Sequence, residues 1–269
     1  MLQNQWLILM KKPSHIRAKK HLSQNFLTDE NVIKKIINSF DLKKDDHVIE
    51  IGPGYGAMTF PIMEIVDSID VIELDKNLAN HLKDHDQKKS INVINKDALS
   101  FDFTSLKKKR KIRLIGNLPY HISTPLLFHL LNFSEIFHDF HVMVQKEVAD
   151  RMVSSHNKKT YGRLSVAIQS RCVALKMLDI KPGAFHPKPK VLSSIVKLQP
   201  KKSLEGKIQS RLDEIIRMAF NQRRKKIRNS LKELFIPEMI FECGIDPNQR
   251  AENLSVDDYI KLSEIEGSI

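Results

Sequence analysis

Residues 48–57, VIEIGPGYGA, set a glycine-rich turn between a strand-like apolar run and a helical pattern. That order favours an open α/β sheet, in which such a turn lies at the carboxyl end of a strand, where ligands bind. Val- and Ile-rich runs recur at 47–51, 68–74, 91–95, 112–115 and 141–145 with helical patterns between them. This is the rhythm of a parallel sheet buried on both faces. Thr124 and Pro125 open the segment LLFHLL, where proline costs little because the first turn of a helix leaves its donors unpaired. A helix is therefore expected just past residues 117–120, and another over KEVADRM at 146–152. Two further strand-like runs follow at 172–180 and 194–199.

Near Pro200 the pattern changes. Leu212, Ile215, Ile216, Ala219 and Phe220 share one helical face, and Ile227, Leu231, Leu234 and Phe235 continue it beyond the RRKK run. The expected domains are thus 11–200, an α/β domain, and 201–269, a small helical one. Met10 opens MKKPSHIRAKK, which reads as a start of its own, so residues 1–10 are expected to be a disordered extension.

The formal charge of +12 is clustered. Residues 11–21 and 105–115 carry five and six basic side chains without an acid, and residues 201–235 carry eleven against four acids. The remainder of the chain is net acidic, so the basic edges fit a polyphosphate partner such as nucleic acid. Solvated lysine loops are the plainer reading of any single cluster. Cys172 and Cys243 stand alone, without CxxC or zinc spacing. Neither a disulfide framework nor a metal site is expected, and a reducing cytoplasm fits. The apolar run 6–10 is too short for a signal peptide, and nothing approaches a membrane span.

In the glycine turn, Gly52 and Gly54 let backbone approach a ligand, and the next strand ends on Glu73 and Asp75, carboxylates able to accept ribose hydroxyl protons. This motif alone leaves a nicotinamide enzyme and a methyltransferase both open. The segment NLPY at 117–120 favours the second. The lone pair of a base's exocyclic amine is delocalised into the ring. Two carbonyls accepting its hydrogens, from Asn117 and the Leu118 backbone, would draw the nitrogen toward a tetrahedral, nucleophilic form. Tyr120 offers a stacking face. A simple strand-to-helix turn is the competing reading.

Asp97 and Ala98 end the third strand, where an acid can accept from a cofactor adenine or merely terminate the strand. Gln24, Asn25, Phe26 and Leu27 fold back over the pocket or lead into a helix capped by Thr28 or Asp29. Phe185 heads FHPKPKV, whose prolines stiffen an extended loop. It is expected to clamp a base against Tyr120. A packed loop phenylalanine is the alternative.

These residues resemble a known family. QNFL at 24–27, EIGPGYGAMT at 50–59, IELD at 72–75, DAL at 97–99, NLPYHISTPLL at 117–127, YGRLSV at 161–166, FHPKPKV at 185–191, FNQRRKKIRNSL at 220–231 and RAENLS at 250–255 are similar to the ribosomal RNA adenine dimethyltransferases of the bacterial KsgA type. The resemblance implies a Rossmann-like methyltransferase sheet, mostly parallel and seven-stranded, with a small all-helical C-terminal domain. It implies transfer of two methyls from S-adenosylmethionine to each of two adjacent adenosines near the 3′ end of 16S RNA, on the small ribosomal subunit; the protein is expected to be a cytoplasmic monomer.

Cofactor contacts carried over are Asn25, Leu27, Gly52, Glu73, Asp97 and Asn117, with Asn117, Leu118 and Tyr120 on the target amine. Gln24, Gly54 and Ala98 join the cofactor set, and Phe185 the catalytic one. Arg223, Arg224, Lys225, Lys226 and Arg228 are expected to hold RNA phosphates. Tyr55, Met58 and His121 depart from the commoner residues without removing a named role. The methylases of the large subunit that confer macrolide resistance share the cofactor motifs, but the two C-terminal segments favour the small-subunit type. An assembly factor without turnover and an NAD-dependent oxidoreductase are the rivals from other classes. The intact NLPY and Glu73 count against the first, and the lack of a hydride-site acid/base pair against the second.

Overall fold

In the computed structural model, residues 24–86, 89–106 and 111–265 are described. The expected extension at 1–10 and the basic run at 11–21 lie outside them, as do residues 107–110 of the second basic cluster. Compact packing divides the chain into two units, one holding residues up to Ala149 with Leu175–Gln199, the other Asp150–Ala174 with residues from Pro200 onward. The chain crosses between the units after Ala149, Ala174 and Gln199. The division also puts 150–174 with the helical unit, because the helix at Arg163–Arg171 packs on those at Gly206–Asn221 and Val256–Glu264.

The first unit opens with the two-residue strand β1 (Phe26–Leu27) and helix α1 (Glu30–Ser39). Asp29 caps α1, its carboxylate accepting from the Asn31 and Val32 amides at 3.0 Å. Strand β2 (His47–Ile51) leads through the glycine turn to the short α2 (Thr59–Ile62), then β3 (Ile69–Ile72), α3 (Lys76–His85) and β4 (Ile91–Ile94). Strand β5 (Ile112–Asn117), α4 (Ser123–Leu131), β6 (Phe137–Gln145), α5 (Lys146–Met152), α6 (Arg163–Arg171), β7 (Cys172–Ile180), β8 (Phe185–His186) and β9 (Ser193–Pro200) follow. The seven-stranded sheet runs β4-β3-β2-β5-β6-β9-β7. Its first five strands are parallel, and β9 is antiparallel to β6. This is the seven-stranded, mostly parallel sheet expected.

Strand order reverses between β2 and β5. From β2 the chain winds outward to β4, then returns to lay β5 on the other side, and the carboxyl ends of β2 and β5 part around a crevice. The opposite edge is pinned. Arg113 at the start of β5 makes paired bonds of 3.0 and 2.8 Å to Asp139 on β6 and a 2.8 Å bond to Asp46. A planar fork meeting a carboxylate fixes both position and direction, so this edge is rigid. Beside it, buried His141 stacks on Phe40 at 4.8 Å with neither ring nitrogen hydrogen-bonded. Burial pulls its pKa down to about 4.

Strand β6 begins at Phe137, four residues before the expected run. The apolar pattern is interrupted there by His138 and Asp139, and the buried Asp139 is paired with Arg113 and Lys197.

The second unit is helical, built on α6, α7 (Gly206–Asn221), α8 (Ile227–Ser230), α9 (Pro237–Glu242) and α10 (Val256–Glu264). Phe220 joins Tyr161 and Tyr259 in its core, at ring separations of 6.1 and 5.9 Å. The face expected to continue past RRKK is broken. Only one turn forms at α8, where Ile227 donates to the Gln249 carbonyl and Lys226 bridges to Arg250. Ile227, Leu231 and Phe235 are nonetheless buried, so the apolar spacing marks core positions without marking one helix.

Candidate active site

The glycine turn needs its glycines. Gly52, Gly54 and Gly56 have φ of +67°, +60° and +82°, a region that costs other residues energy because Cβ crowds the backbone. At Gly54 a Cβ would also lie 3.0 Å from the Phe26 ring. The bare turn thus forms one wall of a cavity of about 440 Å³ at the carboxyl ends of β2 and β5.

Glu73, just beyond β3, is buried at 6% exposure and lines this cavity. Its two oxygens accept from the Gly54 amide at 3.2 Å and the Asp75 amide at 2.8 Å, so one carboxylate holds the glycine turn to the end of β3. Burial outweighs those bonds and pushes its pKa up to about 7. A carboxylate has about four acceptor sites, so capacity remains for ligand hydroxyls. Asp75 caps α3 through the Asn77 amide at 3.0 Å, a local duty that separates it from Glu73. Asp97 also lines the cavity, with one oxygen accepting from the Leu99 amide at 2.9 Å, and Ala98 is buried beside it.

The chain from Gln24 to Leu27 lies along the cavity. Phe26 meets Tyr55 edge-on at 4.5 Å, and β1 pairs with β8 through Leu27 and Phe185. The Gln24 amide donates to Asp75 at 3.4 Å. The segment therefore folds back over the pocket as one sequence reading expected, and Asp29 caps α1 as the other did. Asn117, last residue of β5, donates from Nδ2 to the Asn25 carbonyl at 3.1 Å. Leu118 donates its amide to the Met143 carbonyl at 3.0 Å, which closes the β5 end against β6. Tyr120 is half-buried, lines the cavity and hydrogen-bonds through its hydroxyl to Ser193 at 2.7 Å.

The cavity thus brings together Gln24, Asn25, Leu27, Gly52, Gly54, Glu73, Asp97, Ala98, Asn117, Leu118 and Tyr120. Phe185 is the correction. It is 2% exposed, packs in the core with Leu27, Met143 and Ile195, and is absent from the cavity wall. The β1 pairing turns its side chain inward. The neighbouring His186 faces the cavity instead, as alternation along a strand requires. Glu50 is the buried group the motif reading missed. It lines the cavity and accepts from the Thr59 hydroxyl at 2.6 Å, and burial pushes it up to about 8. A carboxylate inside an apolar strand run was the available signal.

In the second unit, Arg224, Lys225, Lys226 and Arg228 are exposed. Arg223 differs. It is partly buried and bonds Glu252 at 2.7 Å and the Lys159 carbonyl at 2.8 Å, which ties part of its guanidinium down within the unit. Among the described residues no cluster of three His, Cys, Asp or Glu could hold a metal, and no helix is long and apolar enough to cross a membrane.

A glycine turn, a buried carboxylate after β3 and an Asn-Leu-Pro-Tyr turn line one cavity, and comparison with known proteins shows the family to which that combination belongs. The ribosomal RNA adenine dimethylase family profile matches residues 15–266. The chain belongs to the ribosomal RNA adenine dimethylase family. This dimethylase is 45% identical over 248 residues to the ribosomal RNA small subunit methyltransferase A of Dechloromonas aromatica, covering 91% of this chain and 96% of the relative. It is 46% identical over 251 residues to the protein of that name from Photorhabdus laumondii, covering 91% and 92%. Among solved structures, a dimethyladenosine transferase from Plasmodium falciparum matches with a TM-score of 0.76 and 26% identity, covering 88% of the dimethylase and 95% of that chain. The 23S rRNA methyltransferase ErmE matches with a TM-score of 0.70 at 22% identity, covering 89% and 98%, a likeness of fold.

Proposed function

We propose that this dimethylase transfers methyl groups from S-adenosylmethionine to the exocyclic amines of two adjacent adenosines near the 3′ end of 16S RNA, acting as a cytoplasmic monomer on the small ribosomal subunit. The observation that carries the reading is that Asn117, Leu118 and Tyr120 share one cavity with Gly52, Glu73 and Asp97. The residues fit the cofactor. The turn at Gly52–Gly54 is open to backbone approach, Glu73 keeps acceptor capacity for two ribose hydroxyls, and Asp97 can accept from an adenine amine. Bound there, S-adenosylmethionine supplies an electrophilic methyl group.

The chain's own residues make the amine a nucleophile. Because Asn117 spends Nδ2 on the Asn25 carbonyl, its Oδ1 is the end left for the target. Oδ1 and the Leu118 carbonyl accept the two amine hydrogens and draw the nitrogen toward a tetrahedral form, an interaction that strengthens as the reaction proceeds. Tyr120 supports the base by stacking, which needs an unpaired adenosine. The exposed cations at 224–228 hold surrounding phosphates and position the RNA without reading sequence.

Incubation with methyl-labelled S-adenosylmethionine and unmethylated ribosomal subunits tests the reading. Label is expected on the small subunit. Label confined to the large subunit, or none on either, contradicts it.

A further inference from the structure

With Phe185 packed away, the phenylalanine and tyrosine rings on the cavity wall are Phe26, Tyr55 and Tyr120, beside the imidazoles of His121 and His186. Phe26 and Tyr55 are engaged with each other beside the glycine turn, on the cofactor side. Tyr120 is the ring on the side of the proposed target. It sits in a strand-to-helix turn, with its backbone carbonyl accepting from the Ser123 hydroxyl at 3.1 Å. A tyrosine ring attached only through its backbone keeps a broad χ2 torsion, so its tilt is poorly fixed. Here the far end of the ring is held as well, by a 2.7 Å hydrogen bond between its hydroxyl and the Ser193 hydroxyl.

The anchor is stiff. Ser193 is 0% exposed and opens β9, paired in register with Gln145 at the end of β6. Its neighbour Ser194 points to the other face and donates to Asp179 at 2.6 Å. Ser193 thus has a backbone set by the sheet, and its hydroxyl is aimed at the turn that follows β5, two strands away.

We infer that Ser193 is a positioning residue for methyl transfer: it tethers the Tyr120 hydroxyl and so fixes the tilt of the ring on which the target base stacks. The inference rests on the adenine-methylation reading above for its consequence, though not for the tether itself. A bond that only satisfied a buried serine would change stability. A bond that orients the ring changes the chemical step while leaving the cofactor side untouched.

The test has two arms. Single-turnover methyl transfer to small subunits, at saturating S-adenosylmethionine, is measured for Ser193→Ala, Tyr120→Phe and the double variant, beside cofactor affinity. Loss of one hydrogen bond is expected to slow each single variant up to about tenfold. The double variant should be no slower than the slower single one, and the cofactor Kd should stay unchanged. Full-rate transfer by Ser193→Ala, or losses that multiply in the double variant, overturns the inference.

The second arm needs no substrate. The chain has four tyrosines, so in 3-fluorotyrosine protein the Tyr120 fluorine resonance can be assigned by its loss in Tyr120→Phe. It should shift in Ser193→Ala, and an unchanged resonance overturns the tether. A wild-type protein that transfers nothing to small subunits would defeat the functional reading instead, with the fluorine result still deciding the tether.

Discussion

The Asn117 side-chain amide donates to the main-chain carbonyl of Asn25 across 3.1 Å, joining the end of β5 to the segment that folds over the cavity. With Nδ2 engaged there, Oδ1 is the end of the amide proposed to meet the substrate. Asn117→Ala removes the acceptor and should cut the single-turnover rate about 100-fold or more, as loss of an oriented transition-state partner does elsewhere. The cofactor Kd should rise less than about tenfold, the loss expected for one neutral hydrogen bond. Asn117→Asp should be similarly slow, because a carboxylate would confront the Asn25 carbonyl with no proton to donate. A variant that keeps the wild-type rate and only weakens cofactor binding contradicts the mechanism.

If Glu73 accepts from the cofactor ribose as proposed, binding should depend on pH. Its carboxyl is pushed up to about 7 by burial, and ribose hydroxyls donate best to the ionised form. S-adenosylmethionine affinity should therefore rise with pH through about 7 in the wild type and rise less steeply in Glu73→Gln, where Glu50 is the raised carboxyl left on the cavity wall. Calorimetry at pH 6 and pH 8 measures it. Equal affinity at both values in the wild type would remove Glu73 from the ribose.

The basic run divides in two. Replacing Arg224, Lys225 and Arg228 by alanine should flatten the salt dependence of RNA binding by about one unit of slope per lost phosphate contact, with little change in melting temperature. Arg223→Ala should do the reverse, lowering the melting temperature by breaking the bonds to Glu252 and the Lys159 carbonyl. An Arg223 variant as stable as the wild type, or a triple variant with the original slope, contradicts the division.

His141 makes stability fall in acid. Its folded pKa is depressed to about 4 from an ordinary 6.5, so between those values the unfolded chain binds a proton that the folded one does not. The stabilisation is present above the unfolded value and is lost as pH falls toward the folded one. His141→Leu should lose less stability than the wild type between pH 6.5 and 4, measured as midpoints of chemical unfolding. Parallel losses in the two proteins would show that His141 is not the responsible group.

Much of this was legible because backbone requirements leave direct marks in sequence. The turn at Gly52–Gly54 demands φ values that glycine tolerates, and β2 and β3 declare themselves through Val and Ile runs buried on both faces. Asn117 and Glu73 were legible because they stand at the carboxyl ends of β5 and β3, the edge of such a sheet where ligands bind.

Side-chain facing was harder to read. Phe185 was expected forward because of the prolines after it, but its direction is set by pairing with Leu27, more than 150 residues earlier in the chain. Arg223 reads like its neighbours until Glu252 is placed beside it. Ser193 carries no motif at all, and only the fold brings it to Tyr120.

The atoms that receive methyl groups identify the reaction most directly. Unmethylated small subunits treated with the protein and S-adenosylmethionine can be digested, and the modified nucleosides located in 16S RNA by mass spectrometry. The account predicts N6,N6-dimethyladenosine at two adjacent positions near the 3′ end, and none when the protein carries Asn117→Ala over the same reaction time. Methylation at another base or another atom, or a dimethylated product formed as fast by the Asn117→Ala protein, would contradict it.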